Sequence, residues 1–319
     1  MMKRFSAMQP LWIPVPTCLK CDREPITFIR YNGAHLCEEH FLEFVEKRVR
    51  KEVRKQVDLD GMSRLGVALS GGKDSSVALA ILVDALSNKK DLQILAITVD
   101  EGIACYRPKT MEKARELCRL LGVEHHIIRL QDEVGRTMDH ISQRTRGRTA
   151  CTYCGVLRRK CMNKLARDLS ADVLATGLNL DDTAQSILMN LTRGDVEKLA
   201  RLGPHGRLQP GLIPRIQPLR SIPEKESYLY AILRELPFSA DECPYADAAL
   251  RNEYRRIIDE LESKHPGTRH SILNSYDAIR PLLQQTYPPA SLRQCQCGEP
   301  TSGERCMSCE LLEEVRRME

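Results

Sequence analysis

The chain has 319 residues and a mass of 36.3 kDa, room for one full α/β domain with small attachments. Charged residues make up 29% of it and the formal net charge is +5, so a nucleic-acid surface must be local rather than global. The opening MMKRFSAMQPLWIPVP lacks the continuous apolar core of a signal peptide, and no later run approaches the length of a membrane span. The expectation is a soluble, cytosolic protein with no membrane partner.

Three zones follow along the chain. Residues 1–60 carry Cys18-x2-Cys21-x15-Cys37-x2-His40 and then a basic helical stretch, FLEFVEKRVRKEVRKQ. The spacing is that of a tetrahedral structural zinc knuckle. The basic run from Lys47 to Lys55 reads as a solvated helix face or as part of an RNA-facing surface. Residues 61–245 alternate the β-type runs RLGVALS, LQILAITVD, EHHIIRL and ADVLATG with helical stretches beginning near Ser75, Lys109, Gly155 and Asp181. Such alternation predicts a parallel sheet covered on both faces. His125 and His126 fall on the third run, where alternation buries one and exposes the other; neither is assigned a function. The segment 201–220, RLGPHGRLQPGLIPRIQPLR, is rich in Gly and Pro and reads as a long loop. Residues 246–319 form the last zone, helical from about Pro244 and closing on Cys295-x-Cys297-x8-Cys306-x2-Cys309, a second candidate zinc site.

The 13 cysteines are informative, since ten of them belong to patterned groups and only Cys105, Cys118 and Cys161 are left over. In a cytosol that keeps thiols reduced, clustered cysteines read as metal ligands rather than disulfides. Cys161 lies on the helix that follows Cys154 and reads as a buried thiol.

The string SGGKDSS follows an apolar strand and opens a helix. Glycines let the backbone approach an anion, and the exposed N–H groups with the positive helix terminus favour phosphate there. It is not the common phosphate loop, which needs G-x-x-x-x-G-K-[ST]. The candidate cradle is Ala68, Ser70, Gly71, Gly72, Lys73, Asp74, Ser75 and Ser76, with Lys73 adding a mobile charge and the serines hydroxyl donors. Asp181 and Asp182 precede the helical TAQSILMN, where they read as an N-cap and a first-turn carboxylate.

Cys151-x-x-Cys154 and a distant Cys243 admit several readings: a redox dithiol, half of a zinc site, or ligands of an iron–sulfur cluster. The first lacks a thioredoxin-like setting and the second an obvious fourth ligand; three thiolates suit a cubane with one open iron. From Arg144 to Lys160 there are six basic residues and no acidic one, a local field suited to an RNA backbone.

Taken in order, the Cys/His knot, SGGKDSS, VDEGI, CTYCGVLRRK, TGLNLDDTAQSILMN, RGD, DECPY and the terminal cysteine set resemble the archaeal and eukaryotic tRNA 2-thiouridine synthetases. These belong to the N-type ATP pyrophosphatases, and the wobble-uridine branch looks closer than the branch that thiolates ribothymidine in the T-loop. The resemblance runs from Cys18 to Cys309. It implies a Rossmann-like parallel sheet of the N-type ATP pyrophosphatase kind, flanked by small N- and C-terminal zinc modules. It implies ATP on the loop, cleaved between the α- and β-phosphates, with the adenine edge near Ile97 and Asp100 and with Gly177 admitting ATP to the backbone. Asp182 would take a proton or bind Mg²⁺. A [4Fe–4S] cluster would sit on Cys151, Cys154 and Cys243, its fourth iron free to carry sulfide.

The implied reaction adenylates the C2 oxygen of a uridine; cluster-bound hydrosulfide then attacks C2 and AMP leaves. Lys73, Asp182, Arg158 and the three cysteines form the implied catalytic set, and the base must be accessible or flipped out. A persulfide on Cys151 with Cys243 is the competing route. The sulfur source is a ubiquitin-like carrier or free sulfide, and a homodimer is implied. Three departures stand out. The histidine that often follows Gly177 in the family is absent, with Leu178 and Asn179 there. Arg158 replaces a lysine of some relatives and suits electrostatic stabilisation, since it holds its proton. One residue rather than two separates Cys295 from Cys297. Two rival readings are ATP-pyrophosphatase chemistry on a small metabolite and a non-catalytic tRNA-binding scaffold; the former does not require two zinc knots, and the latter leaves SGGKDSS and Asp182 unexplained.

Overall fold

The computed structural model describes residues 17–144, 148–205, 209–246 and 250–317. The opening 16 residues and Arg146 of the basic run lie outside these. In chain order the elements are β1 (Thr27–Ile29), β2 (Ala34–Leu36), α1 (Glu38–Gln56), β3 (Arg64–Ala68), α2 (Lys73–Leu86), β4 (Gln93–Asp100), α3 (Arg107–Leu121), β5 (Glu124–Arg129), α4 (Leu130–Val134) and α5 (Met138–Arg144). Then come α6 (Ala150–Asp168), β6 (Val173–Thr176), α7 (Leu180–Thr192), α8 (Val196–Ala200), β7 (Arg215–Ile216), α9 (Glu224–Leu233), α10 (Arg251–Lys264), α11 (Thr268–Thr286), β8 (Arg293–Gln294), β9 (Pro300–Thr301) and α12 (Met307–Arg317).

The central sheet is wholly parallel, in the order β5-β4-β3-β6-β7. Its middle strands are apolar without a break because both faces are covered. Leu65, Val67, Val173 and Ala175 pack with α1, α2 and α9. Ile97 and Leu174 pack beneath α6 with Ala166, and Val99 and Ile128 meet α6 and α12. Helix α2 is buried continuously from Ser75 to Leu82, so it is a core element rather than an amphipathic cover. Helix α1 offers Phe41, Val45, Val49 and Val53 at four-residue spacing; each such burial stabilises by about 1.5–3 kcal/mol. The chain leaves β3 toward β4 and β5, then returns to place β6 on the other side of β3. That reversal makes the carboxyl ends of β3 and β6 the topological switch point, where open α/β sheets bind ligands.

Four features differ from the sequence reading. Helix α6 starts at Ala150, five residues before Gly155, so Cys151 sits in its first turn and Cys154 opens its second instead of both preceding it. The segment 201–220 contains a fifth strand, β7, two residues long at the sheet edge. Helix α10 starts at Arg251, not near Pro244. The cap of α7 is Asn179, which accepts from the Asp182 N–H and is answered by the Asp182 side chain in a capping box; neither aspartate is the N-cap.

Both histidines of β5 are half-buried. Thr98 donates its single hydroxyl hydrogen to the Leu69 carbonyl (2.6 Å), so His125 Nε2, 2.7 Å from that hydroxyl, must carry the ring proton. Burial, with the nearby charge of Arg115 and His126, holds the His125 pKa at about 4, below the ordinary 6.5. Between those values the unfolded chain binds a proton that the native ring refuses. The contribution is therefore complete above pH 6.5 and lost as pH falls through 4. Melting temperature is expected to drop less over this window in His125→Gln than in the parent; parallel curves would remove the ring from the acid limb.

Candidate active site

The loop after β3 and the loop after β6 meet at the switch point. Gly71 has φ +85°, and a Cβ there would lie 1.9 Å from the Thr110 carbonyl oxygen. A Cβ at Gly177 would lie 2.8 Å from the Ser75 nitrogen. Both glycines are demanded by backbone passing against backbone. Ser70 N–H donates to Ser75 Oγ (3.1 Å), and Ser75 Oγ donates to the Gly72 carbonyl (2.9 Å), closing the turn on itself. Gly72 caps α2. Ser76 is fully buried and its hydroxyl meets the Pro237 carbonyl at 3.3 Å, so it faces away from the loop mouth. Of the serines only Ser70 is exposed. The Ile97 side chain is also in the core, 1% exposed, and Ala68 packs against the same cluster. Inward alternation on β4 takes the Ile97 side chain beneath α6, which leaves the backbone of this strand end as its contribution to the neighbourhood expected for adenine. Asp100 accepts from the Gly102 N–H (3.0 Å), shaping the end of β4.

Lys73 reaches back between Asp74 (3.0 Å) and Glu224 (2.7 Å). Burial opposes its charge, but those two carboxylates outweigh the burial and hold its pKa above the ordinary value. Asp74 Oδ1 is buried without a hydrogen-bond partner. Asp182 pairs with Arg251 of α10 at 3.1 Å. Burial pushes the Asp182 carboxyl up, Arg251 pulls it back, and the negative field of Asp74 pushes it further up. Asp181 is engaged elsewhere: it accepts from Arg269 of α11 (2.6 Å) and from the Glu224 N–H (2.7 Å). An orphaned carboxylate oxygen beside a second crowded carboxyl suits a divalent cation, which would relieve both.

Cys151 is exposed at the start of α6, with its thiol 3.3 Å from the Tyr245 carbonyl; Cys154 and Cys243 are half-buried. Each of Cys151, Cys243 and Arg158 acts electrostatically on Cys154, which places the four groups together. Burial pushes the Cys154 thiol up to about 11, with Arg158 opposing it, and burial likewise raises Cys243. Thiols held protonated in this way become ligands when a metal group displaces their protons. The sulfurs of Cys151, Cys154 and Cys243 are not all within 4.8 Å of one another as those of the end sets are, a spread wider than a lone ion needs and open to a larger multi-iron group.

Two residues missed by the sequence reading join the loop to the cysteines. Arg107, 3% exposed, donates to the Ser70 carbonyl (2.9 Å) and to the Val99 carbonyl, and its Nε lies 2.7 Å from Glu101. Glu101, also buried, faces Arg158 at 3.7 Å. The carboxylate thus bridges a loop-holding arginine and the arginine beside Cys154. Glu101 stood inside the quoted VDEGI, but nothing in that string distinguished it from Asp100. Glu224, Arg251 and Arg269 carried no local signal.

The end sets are compact. Cys18, Cys21 and Cys37 place their sulfurs 3.3, 3.4 and 3.3 Å from His40 Nδ1, and Cys21 lies 3.7 Å from Cys37. A zinc tetrahedron with bonds of about 2.0–2.3 Å has edges of roughly 3.5–3.8 Å. Cys295, Cys297, Cys306 and Cys309 also lie within 4.8 Å of one another, the shortened first spacing notwithstanding. Among the described residues no helix is long and apolar enough to cross a membrane. On α1, Arg48 turns inward to Glu226 (2.7 Å), while Lys47, Arg50, Lys51, Arg54 and Lys55 remain exposed.

Comparison with known proteins accords with this geometry. A PP-loop domain family matches residues 43–261, and a 2-thiouridine synthetase N-terminal LIM domain matches residues 17–42. The chain is 38% identical to the tRNA 2-thiolation protein NcsA of Haloferax volcanii, over 93% of this chain and 98% of that one. It is 34% identical to the tRNA-5-methyluridine(54) 2-sulfurtransferase of Pyrococcus horikoshii, covering 92% of each. Its fold matches the U34-tRNA thiolase NcsA of Methanococcus maripaludis, a structure with a [4Fe-4S] cluster, at a TM-score of 0.82 and 34% identity over 95% of this chain and 97% of that one. Matched to these proteins along nearly its whole length, the chain belongs to the PP-loop family, among the tRNA 2-thiolation proteins.

Proposed function

We propose that the protein is an ATP-dependent tRNA-uridine 2-sulfurtransferase acting on wobble uridine 34. One observation carries the reading: the phosphate-type loop and the three cysteines open on the same sheet edge and are joined through Arg107, Glu101 and Arg158. ATP lies with its pyrophosphate end on the backbone of Ser70–Gly72 and the N-terminus of α2. Lys73 leaves Glu224 to pair with phosphate. Asp74 and Asp182 hold Mg²⁺, which takes up the negative charge those two carboxyls otherwise impose on each other. The uridine O2 bonds to the α-phosphorus while the bond to the bridging oxygen breaks, and pyrophosphate leaves. Sulfur then bonds to C2, and AMP departs with the electron pair of the C2–O bond. When bound on Cys151, Cys154 and Cys243, a [4Fe–4S] cluster supplies an open iron that holds sulfur as an anion. Arg158 keeps its charge beside that point and stabilises the charge that develops as sulfur adds.

Residues 1–60, 61–245 and 246–319 are assigned as N-terminal zinc module with basic helix, catalytic domain, and C-terminal helices with zinc module. The same proposal includes two Zn²⁺, a homodimer, and free sulfide or a ubiquitin-like carrier as donor; light scattering and product yield with either donor test the last two. Structural zinc contributes about 10–16 kcal/mol of apparent folding energy in small modules. Chelation is therefore expected to release two equivalents and speed deuterium exchange near residues 18–41 and 295–311, leaving β3, β4 and β6 protected. Unchanged exchange after zinc loss would contradict the structural role.

The deciding measurement is nucleoside mass spectrometry on tRNA incubated anaerobically with protein, Mg-ATP and sulfide. Loss of 2-thiouridine only when position 34 is altered supports the wobble assignment; loss only at position 54 moves the activity to the T-loop. Asp182→Asn, which can keep the capping box, is expected to reduce product formation about 10²–10³-fold. Equal activity of Asp182→Asn and parent would remove Asp182 from the chemistry.

A further inference from the structure

A cavity of about 670 Å³ lies across α6 from the cysteines, walled by α6, β7, the end of α11 and the C-terminal zinc ribbon. Cys151, Cys154 and Arg158 occupy one face of α6. Val156, Arg159, Lys160 and Asn163, at three- and four-residue steps, line the cavity from the nearly opposite face. Arg215 enters from β7 and Arg280 from α11.

The cavity is rich in uncompensated positive charge. Among the described residues Arg159, Arg215 and Arg280 make no ion pair, although the structure is otherwise dense with them. Glu299 is the one carboxylate on the wall, and it already accepts from Arg167 (2.8 Å) and faces Asn163 (3.4 Å). Arg280 donates one nitrogen to the Pro204 carbonyl (2.6 Å), and its buried Nε has no partner. Burial, and then the charge of Arg159, lower the pKa of Arg215, with Glu299 opposing them only in part. Arg159 is exposed and Arg215 and Arg280 are half-buried, so water carries part of this charge and a bound anion would relieve the rest. Arginine forks suit phosphate, which accepts them two bonds at a time. Ile213, Leu292 and Tyr287 add apolar and aromatic surface beside polar groups such as Gln209 and Gln284, and the volume is that of a small-molecule pocket.

We propose that this cavity is a second nucleotide site, separate from the phosphate loop, that binds a phosphate together with its attached nucleoside. The ligand is a nucleotide of the bound tRNA or a free nucleotide of the same chemistry. A helix is about 10–12 Å across, so nucleotides flanking a base presented at Cys151 can reach the far side of α6. The tRNA source rests on the thiolation reading; the nucleoside phosphate does not.

The test uses full-length protein with its metals in place and two variants. Arg215→Gln/Arg280→Gln removes charge, and Ala290→Trp fills the mouth while keeping every charge. Equilibrium binding is measured for tRNA across a salt series, for uridine monophosphate, and for ATP. For a tRNA nucleotide, both variants bind tRNA about 10-fold or more weakly, the double variant flattens the salt dependence by about one unit per arginine, and ATP binding is unchanged. Loss of uridine monophosphate binding with tRNA affinity intact assigns the site to a free nucleotide. If both variants retain parental metal content and melting temperature yet bind both probes like the parent, the proposal is overturned. Weakened tRNA binding by a protein that makes no 2-thiouridine would leave the cavity standing and sink the thiolation reading.

Discussion

Gly71→Ala is expected to abolish ATP turnover and to lower stability by on the order of 3 kcal/mol. Two independent costs combine at this position. An L-residue at φ +85° is disfavoured by roughly 1–2 kcal/mol. The added methyl would also meet the Thr110 carbonyl oxygen at 1.9 Å, and because that atom is backbone no side-chain rotation can relieve it. Either the start of α3 or the loop must move, and a shift of about 1 Å in a positioning element can cost 10²-fold in rate. ATP binding by calorimetry and thermal melting report the two effects separately. Gly72→Ala is the control, since its Cβ meets nothing closer than the Ser70 hydroxyl at 3.5 Å. Comparable damage from the two substitutions would refute the close-approach explanation.

Arg107→Leu is expected to destabilise by about 3–5 kcal/mol, because it strands a buried carboxylate. Glu101 would keep only Arg158, 3.7 Å away, and the Ser70 and Val99 carbonyls would lose their donor. A fall in Tm on the order of 10 °C follows for a chain of this size. The second substitution Glu101→Gln in the same chain should recover a large part of it, since the uncompensated charge is removed. A double variant no more stable than Arg107→Leu would mean the arginine acts through its backbone contacts alone.

The parallel sheet was legible because β3, β4 and β6 are short apolar runs ended by Gly, Ser or Asp, a pattern that local physics writes directly into composition. The phosphate-type loop was legible for a related reason: Gly71 and Gly177 answer to backbone contacts that only glycine permits. The start of α6 was not. Its cap, Thr149, makes no side-chain capping bond, so no residue announced that Cys151 already lies in the helix. Strand β7 is two residues long and next to Pro214, below the length at which alternation can be read. The partners of Asp181 and Asp182 lay 88 and 69 residues away, and Glu224 lay 151 residues from Lys73. Contacts of that separation are set by how α7, α9, α10 and α11 pack. The residue types alone could not pair them.

Arg48 of α1 pairs with Glu226 of α9 and meets His270 of α11 at 3.0 Å. Arg251 and Arg269 bring α10 and α11 onto the two aspartates of α7. The ends of the chain are therefore interlocked with its middle, and neither can be exchanged as a cassette. A chimaera that borrows residues 246–319 from a relative would have to import cations matched to Asp181 and Asp182, or replace α7 with them. Recombination among such proteins is confined to crossover points that keep these pairs together.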